Sequence, residues 1–184
     1  MRIVAGVARG RRLAGPPTGT RPTSDRMREA LFSSLEANRS LTGTRVLDLY
    51  AGTGAVGLEA LSRGAARVVL VESHRAALAV LRRNVATLGL SGASVVARAV
   101  EGYLAAEQPE PFDVVFADPP YAVDDTALRD VLGLLGARGW LADGAEVVVE
   151  RPARNGPPDL AVDPITPVRE RRYGDGLLWY GRRQ

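Results

Sequence analysis

The tetrapeptide Asp118-Pro119-Pro120-Tyr121 combines a carboxylate, two rigid residues and an aromatic ring directly after an apolar run, Phe112–Ala117. Consecutive prolines fix φ at two positions and bias Asp118 away from the helical region, so the turn is stiff. The Asp118 carboxylate and the Pro119 carbonyl could each accept an N–H from an exocyclic amino group of a nucleobase, while Tyr121 stacks on the ring. The residues predict a catalytic turn that aims an amino lone pair at an electrophilic carbon.

A second candidate site is the glycine-rich loop Gly52-x-Gly54-x-x-Gly57, which follows a predicted strand and precedes a predicted helix. Glycines let the backbone approach a ligand, and the first N–H groups of the helix point to the same place. The next predicted strand ends in Glu72, 20 residues beyond Gly52. Its carboxylate could accept both hydroxyl groups of a ribose. The combination predicts a nucleoside-binding site.

Asp48, just before this loop, decides between two nucleoside cofactors. A dinucleotide places its pyrophosphate at the helix N-terminus, where a carboxylate would repel it. S-adenosylmethionine carries no phosphate and has a cationic amino group and a sulfonium, so an acid is favourable. We therefore expect S-adenosylmethionine, although an NAD-dependent oxidoreductase stays open at this point. The predicted cofactor contacts are Asp48, Ala51, Gly52, Thr53, Gly54, Glu72, Ser73 and Val100.

Short apolar runs rich in β-branched residues predict the strands that position these sites. They are Arg45–Tyr50, Arg67–Glu72, Ser94–Ala97, Phe112–Ala117 and Ala145–Glu150. The intervening segments have helical periodicity, and one more helix is predicted from Ser24 to near Asn38. This alternation favours a parallel sheet covered on both faces and connected by right-handed crossovers. Two further runs, Val168–Tyr173 and Leu177–Tyr180, predict an antiparallel hairpin that closes the sheet.

The charge is unevenly distributed along the 184 residues. All 24 basic residues are arginine, and residues 1–28 hold seven of them against one acid. Residues 29–150 hold ten against 16 acids, so a basic segment precedes an acidic body. Guanidinium groups match phosphate geometry and stack on bases, which favours a polyanionic partner. We interpret residues 1–22 as a basic N-terminal arm, partly a hairpin, and residues 23–184 as the catalytic domain.

Composition excludes several chemistries. The chain contains no cysteine and one histidine, which excludes disulfides, thiolate zinc sites and cysteine nucleophiles, and we expect no metal. Its longest apolar run without glycine, Ala76–Leu81, is far shorter than the roughly 18 residues of a spanning helix. Its arginine-rich start lacks the apolar region of a signal peptide. We expect a cytoplasmic protein with no membrane partner.

The motifs together resemble the RsmD family of small-subunit rRNA guanine-N2 methyltransferases. The resemblance covers most of the chain and includes Arg9–Leu13, Arg21–Arg26, Asp48–Ala65, Val71-Glu72 and Phe112–Tyr121. The Asp-Pro-Pro-Tyr turn is shared by amino-group methyltransferases generally, whereas Arg-Pro-Thr-x-Asp-Arg joined to that core is more specific. The resemblance implies a Rossmann-like class I methyltransferase fold with a seven-stranded, mostly parallel sheet.

The resemblance also implies methylation of one guanine N2 in 16S rRNA within the small ribosomal subunit, by a monomer. Asp48, Gly52 and Gly54 would contact the methionine part of S-adenosylmethionine, and Glu72 its ribose. The family usually has Asp or Asn near the end of the third strand for the adenine amino group. This chain has Ala99-Val100, which leaves that contact to backbone groups. The predicted RNA-binding residues are Arg9, Arg11, Arg12, Arg21 and Arg28.

Two further functions remain open from the residues. The same chemistry could serve an amino-methyltransferase that acts on DNA or on another RNA. A non-catalytic ribosome-assembly factor could use the basic arm alone, in which case RNA binding would survive with an empty cofactor site.

Overall fold

The computed structural model of the chain describes residues 1–16, 25–155 and 158–184. Two sequence predictions, RNA contact by Arg21 and the start of a helix at Ser24, lie outside the described residues. The helices are α1 (Asp25–Glu36), α2 (Ala55–Ser62), α3 (Arg75–Leu88), α4 (Val100–Ala106) and α5 (Asp125–Ala137). The strands are β1 (Arg45–Leu49), β2 (Arg67–Glu72), β3 (Ala93–Ala97), β4 (Phe112–Ala117), β5 (Leu141–Pro152), β6 (Ile165–Tyr173) and β7 (Gly176–Arg183).

The strands form one sheet in the order β3-β2-β1-β4-β5-β7-β6. The pairs among β1 to β5 are parallel, and β7 is antiparallel to both of its neighbours. The predicted Rossmann-like sheet with an antiparallel C-terminal pair is confirmed. Because the order reverses between β1 and β4, the ends of these adjacent strands form the crevice in which ligands bind in such sheets.

The predicted boundaries of β1 to β4 agree with the structure to within one residue, whereas β5, β6 and β7 extend beyond the predicted runs. Strand β5 begins at Leu141, four residues before the predicted start. Its first residues include Asp143-Gly144, which indicate a turn in the sequence, but Leu141 pairs with Phe112 before a register shift. A bulge thus keeps polar turn-forming residues within a strand.

Each face of the sheet carries its own core. One apolar cluster includes residues of α1, α2 and α3, for example Leu31, Leu58 and Leu81. The other includes residues of α4 and α5, for example Leu104 and Leu132. Strands buried on both faces have continuous apolar runs, which explains why the sequence located them. Trp140, Trp179 and Tyr180 pack within these cores, since each is at most 2% exposed.

The first residues of the chain fold back as a hairpin, with Arg2 bridged to Arg12 and the Ile3 N–H donating to the Arg11 carbonyl at 3.0 Å. Ile3 and Leu13 are buried in the core cluster of α1 to α3. We call residues 1–13 the N-terminal hairpin. It forms part of the packed domain and does not project from it. Among the described residues, no helix is long and apolar enough to cross a membrane.

Candidate active site

The glycine loop after β1 and the proline turn after β4 emerge side by side. In the register of these two strands Asp48 pairs with Phe116, and Leu49 pairs with Ala117. The Asp118 N–H lies 3.4 Å from the Leu49 carbonyl oxygen, which joins the ends of the two strands. The predicted cofactor loop and the predicted catalytic turn therefore meet at one edge of the sheet, which we call the catalytic edge.

The glycines of the loop meet two steric demands. Gly54, at φ +78°, lies in the left-handed region just before α2, and a Cβ there would lie 2.3 Å from Leu81 Cδ1. At Gly57 a Cβ would lie 2.7 Å from Val68 Cγ1, because α2 packs directly on β2. A larger residue at either position would force these neighbouring side chains to shift. Thr53 is buried beneath the loop.

Glu72 organises the floor of the loop. One carboxylate oxygen, Oε2, accepts the Gly52 N–H at 2.8 Å. The other, Oε1, accepts the N–H groups of Ser73 and His74 at 2.8 and 2.7 Å. The carboxylate is held by three backbone donors and remains partly exposed, so lone pairs stay available for hydroxyl donors. Glu72 therefore keeps the acceptor capacity that the predicted contact with a ribose diol requires.

Asp48 is fully buried under the loop, 1% exposed, and its Oδ2 accepts the Gly57 N–H at 2.9 Å. Burial raises the pKa of Asp48 to about 7. The Gly57 hydrogen bond opposes this shift, whereas the negative charges of Asp118 and Glu72 add to it. Three carboxylates thus act on one another at the catalytic edge.

This arrangement distinguishes cationic from anionic ligands. A positive group beside Asp48 would favour its ionised form, whereas a pyrophosphate would add charge to three neighbouring carboxylates. The residues present therefore fit the sulfonium and ammonium groups of S-adenosylmethionine and do not fit a dinucleotide phosphate.

The proline turn presents its groups unequally. Asp118 is half-buried, Pro119 is buried, and Pro120 and Tyr121 are exposed. The Pro120 carbonyl accepts the Val123 N–H at 2.9 Å, which closes the turn. The Tyr121 side chain is 65% exposed, so an aromatic surface is open to solvent beside Asp118. The Arg154 guanidinium lies 5.3 Å from the centre of this ring, a cation–π contact that the sequence analysis missed.

Tyr50 is a second feature of the site that the sequence did not predict. It has φ +59°, and among the described residues it is the single non-glycine residue with positive φ. Its hydroxyl donates to Glu101 Oε1 at 3.1 Å, and burial followed by the Glu101 charge raises its pKa. Strained backbone of this kind is common at binding sites. Spacing and composition contain no signal for it.

The third strand offers no polar side chain in the place where the family usually has Asp or Asn. Ala99 precedes α4 without a side-chain cap, and Val100 is buried in the core. Arg98 is paired with Glu107 at 2.5 Å.

The structure overturns the prediction that Arg28 binds RNA. Its side chain is fully buried on the apolar face of α1, and its Nε lies 3.5 Å from Glu59 Oε2, which is also fully buried. It also donates to the Arg2 carbonyl and to Asp25. Glu59 in turn accepts the N–H groups of Val4 and Ala5 at 2.8 and 2.9 Å. Arg28 holds the N-terminal hairpin in place and is not available to phosphate.

Arg11 is also engaged within the protein. Its guanidinium donates to the carbonyls of Leu88 and Thr87 at 2.7 and 2.5 Å. Helix α3 starts at the catalytic edge and ends at Leu88, and 14 helical residues span roughly 20 Å. Arg11 therefore lies at the end of the domain opposite the catalytic edge. Arg9 and Arg12 are exposed on the same hairpin.

Asn84 was missed by the sequence analysis and connects the hairpin to the loop. Its side chain is 1% exposed, donates to the Thr53 carbonyl at 2.9 Å and accepts the Ala14 N–H at 2.8 Å. An amide on the apolar face of α3, between Leu81 and Leu88, was the available signal. His74 caps the same helix by accepting the Ala77 N–H at 3.4 Å, which is a local structural role.

Comparisons with known proteins identify the family of the chain. The family described as "Conserved hypothetical protein 95" matches residues 1–182. The chain is 43% identical over 161 residues to "Ribosomal RNA small subunit methyltransferase D" of Escherichia coli K12, covering 87% of this chain and 79% of that protein. The Haemophilus influenzae protein of the same name is 37% identical over 154 residues, covering 82% and 78%.

Solved structures give the same result for the fold. The Escherichia coli protein yhhF superimposes with a TM-score of 0.85 at 38% identity, covering 100% of this chain and 98% of that one. A hypothetical protein of Thermus thermophilus gives 0.81 at 40% identity, covering 98% of each chain.

Proposed function

The chain belongs to the RsmD family of methyltransferases, and from that premise we propose that it methylates the exocyclic N2 of a guanine in 16S rRNA of the small ribosomal subunit. We propose S-adenosylmethionine as the methyl donor. The observation that carries the proposal is the meeting of the acidic glycine loop with the Asp118–Tyr121 turn at the catalytic edge.

The residues of the loop fit the donor. Glu72, held by three backbone N–H groups, would accept the two ribose hydroxyls. Asp48 and the backbone of Gly52 and Gly54 would hold the methionine part, with Ala51 and Thr53 shaping the loop. Ser73 and Val100 would flank the adenine through their backbone. Bound there, S-adenosylmethionine supplies a methyl group already activated by a sulfonium.

The turn after β4 would prepare the acceptor. An exocyclic amino nitrogen conjugated to a base is a poor nucleophile because its lone pair is delocalised. If the Asp118 carboxylate and the Pro119 carbonyl each accept one N–H, the nitrogen becomes more tetrahedral and its lone pair is directed at the methyl carbon. Pro120 would keep the turn rigid and Tyr121 would stack on the base. The proton that the amine loses passes to Asp118 or to water.

The assignment of rRNA as the substrate is supported by the names of the relatives, which are rRNA small subunit methyltransferases. Enzymes that modify a base must expose it from its stack, and they need protein surface to hold the neighbouring nucleotides. Arg9 and Arg12 remain proposed contacts to RNA that lies away from the base. Arg11 supports them by fixing the hairpin.

The proposal is tested in cells and with purified protein. Mass spectrometry of small-subunit RNA should detect less N2-methylguanosine in cells that lack the protein, and a plasmid copy should restore it. Unchanged N2-methylguanosine would refute the target. Tritiated methyl transfer to naked rRNA, small subunits and DNA should be largest for the ribosomal substrates. Transfer mainly to DNA would instead identify the chain as a DNA amino-methyltransferase.

A further inference from the structure

A basic groove lies between α1 and β6, outside the catalytic edge and the N-terminal hairpin. It has a volume of about 670 Å³. Arginines from β6 line one side, and small or polar residues of α1 and of the turn after it line the other. The residues that matter here are Ser33, Ser34, Ala37, Arg169, Arg171 and Arg172. None of the described residues that line the groove is acidic.

The three arginines differ in what they contact. Arg169 is committed to the protein: it donates to Ser34 Oγ at 2.7 Å and lies 4.6 Å from the centre of the Tyr180 ring. Its guanidinium therefore places a fixed positive charge at the base of the groove. Arg171 and Arg172 are exposed. Within the described part of the chain neither forms an ion pair, and Arg172 makes one contact, to the Gly174 carbonyl at 3.2 Å.

Several arginines elsewhere in the domain are neutralised by acidic partners. Arg45 and Arg67 both pair with Glu110, and Arg129 pairs with Asp159 at 3.4 Å. The acid of β6 itself, Glu170, does not line the groove. Arg171 and Arg172 therefore offer positive charge that no described acidic residue pairs, beside a helix face of small, polar side chains. Such a surface favours a polyanion with regularly spaced charges, such as a sugar–phosphate backbone.

Strand register places these arginines level with the catalytic edge. Arg171 pairs with Leu178, which pairs with Glu150 of β5. Val149, the residue before Glu150, pairs with Ala117, the residue before Asp118. Arg171 and Asp118 are therefore on one rung, three strands apart, or about 14 Å. That distance corresponds to about four stacked nucleotides at 3.4 Å each.

The groove is also nearer to the chemistry than the hairpin arginines. Met27, in the first turn of α1, lies against Gly176 at the start of β7, so α1 begins at the catalytic edge. Arg172, at one end of the groove, pairs with Leu177, the residue after Gly176. Arg11, in contrast, is anchored at the far end of α3.

We propose that the groove between α1 and β6 binds the sugar–phosphate backbone of the substrate RNA on one flank of the target base, with Arg171 and Arg172 contacting phosphates. This inference rests on the proposed function, because it takes RNA as the substrate. It assigns the positioning of that RNA to β6, whereas the sequence favoured the N-terminal arm.

The test uses the full-length Arg171→Ala/Arg172→Ala variant and a matched control, Arg82→Ala/Arg83→Ala. The control also removes two adjacent exposed arginines, from α3, that form no ion pair in the described residues. Binding of a labelled, protein-free 16S rRNA transcript is measured between about 50 and 200 mM salt. Methyl transfer to that transcript or to small subunits, whichever the wild type modifies, and S-adenosylmethionine binding are measured separately.

We expect the β6 variant to bind RNA about tenfold more weakly at low salt, with a salt dependence (−dlogK/dlog[salt]) smaller by about 1.4 to 1.8, as for two lost phosphate contacts. KM for RNA should rise with kcat and donor binding unchanged, and the control should behave as wild type. If the β6 variant binds RNA with the affinity and the salt dependence of the wild type, the inference is wrong. The proposed function still stands in that case, provided that the wild type transfers the methyl group.

Other outcomes separate the two proposals. If the wild type binds the transcript through these arginines but transfers no methyl group to any rRNA substrate, the groove stands and the proposed function fails. If the β6 variant binds naked RNA normally and loses affinity only for assembled subunits, the groove recognises a protein and the inference is wrong. Equal losses of RNA affinity in the β6 variant and the control would also overturn the inference, since the effect would then come from the lower net charge of the protein and not from the groove.

Discussion

The catalytic edge and the N-terminal hairpin both involve buried charged residues, but the edge brings like charges together and the hairpin is held by opposite charges. At the edge, burial raises the pKa of Asp48, and the like charges of Asp118 and Glu72 add to this shift. At the hairpin, the buried Arg28 meets the buried Glu59. Like charges that lie close together oppose folding, and they are retained where a ligand supplies the opposite charge. A buried ion pair, in contrast, holds two parts of the fold together. The position of charge alone therefore does not identify a functional residue.

The largest expected effect is on catalysis at the edge. The Asp118→Ala variant removes an acceptor that positions the amino nitrogen, so kcat should fall by about 10²- to 10³-fold. S-adenosylmethionine affinity and the free energy of unfolding should change little. The measurement is single-turnover methyl transfer together with calorimetry, and Asp130→Ala, an exposed acid of α5, is the control. Retained methylation by Asp118→Ala would refute its catalytic role.

At the hairpin, the Arg28→Met variant should lose about 1 to 3 kcal/mol of unfolding free energy, because the buried Glu59 keeps only its ion pair with Arg63, at 3.0 Å, and the Arg2 carbonyl loses its donor. Urea denaturation measures this loss, and Arg82→Met, an exposed helical position, should stay near wild type. Where the variant remains folded, its kcat should equal that of the wild type. A normal stability with weakened RNA binding would instead return Arg28 to the RNA-binding residues.

The third prediction concerns pH. If Asp48 holds a cationic donor in its ionised form, S-adenosylmethionine affinity should increase as pH rises from 6 to 8 through the Asp48 pKa of about 7. The change approaches tenfold per pH unit well below the pKa. Calorimetry of Asp48→Asn should give weaker binding with less pH dependence, since Asn cannot ionise and can still accept the Gly57 N–H. Equal pH profiles in the two proteins would contradict this account.

The same group should affect stability with the opposite sign. The folded pKa of Asp48 lies above its unfolded value of 3.8, so between pH 4 and 7 the folded state keeps a proton that the unfolded state has lost. The unfolding free energy of the ligand-free wild type, relative to Asp48→Asn, should fall as pH rises through this window and level off above it. A rise over this window would show that ionised Asp48 is stabilised within the protein.

The smallest effect is expected at Arg11. The Arg11→Ala variant removes two hydrogen bonds to α3 carbonyls at an exposed position and should lower the unfolding free energy by about 1 kcal/mol. Thermal or urea denaturation measures this change. Arg9→Ala is the control, because Arg9 is an exposed residue of the same hairpin. An effect of Arg11→Ala on RNA affinity with unchanged stability would favour the original RNA-binding prediction.

The sequence predicted the sheet and both motifs of the catalytic edge because those features depend on local patterns. Continuous apolar runs locate doubly covered strands, and turn residues must occupy fixed offsets from them. Partners of long side chains are different, since a guanidinium reaches whichever oxygen the folded chain brings near. Arg28 still had a signal, because it shares a helix face with Leu31, Phe32 and Leu35. The backbone of Tyr50 and the stacking of Arg154 on Tyr121 depend on tertiary structure alone.

The most direct test of the central claim is reconstituted methyl transfer followed by nucleoside mass spectrometry. Purified wild-type protein, S-adenosylmethionine and small ribosomal subunits from cells lacking the protein should yield N2-methylguanosine in 16S rRNA. The Asp118→Ala variant should give a much slower reaction at equal donor occupancy. Absence of N2-methylguanosine with the wild type, or equal rates from both proteins, would contradict the assignment of the catalytic edge.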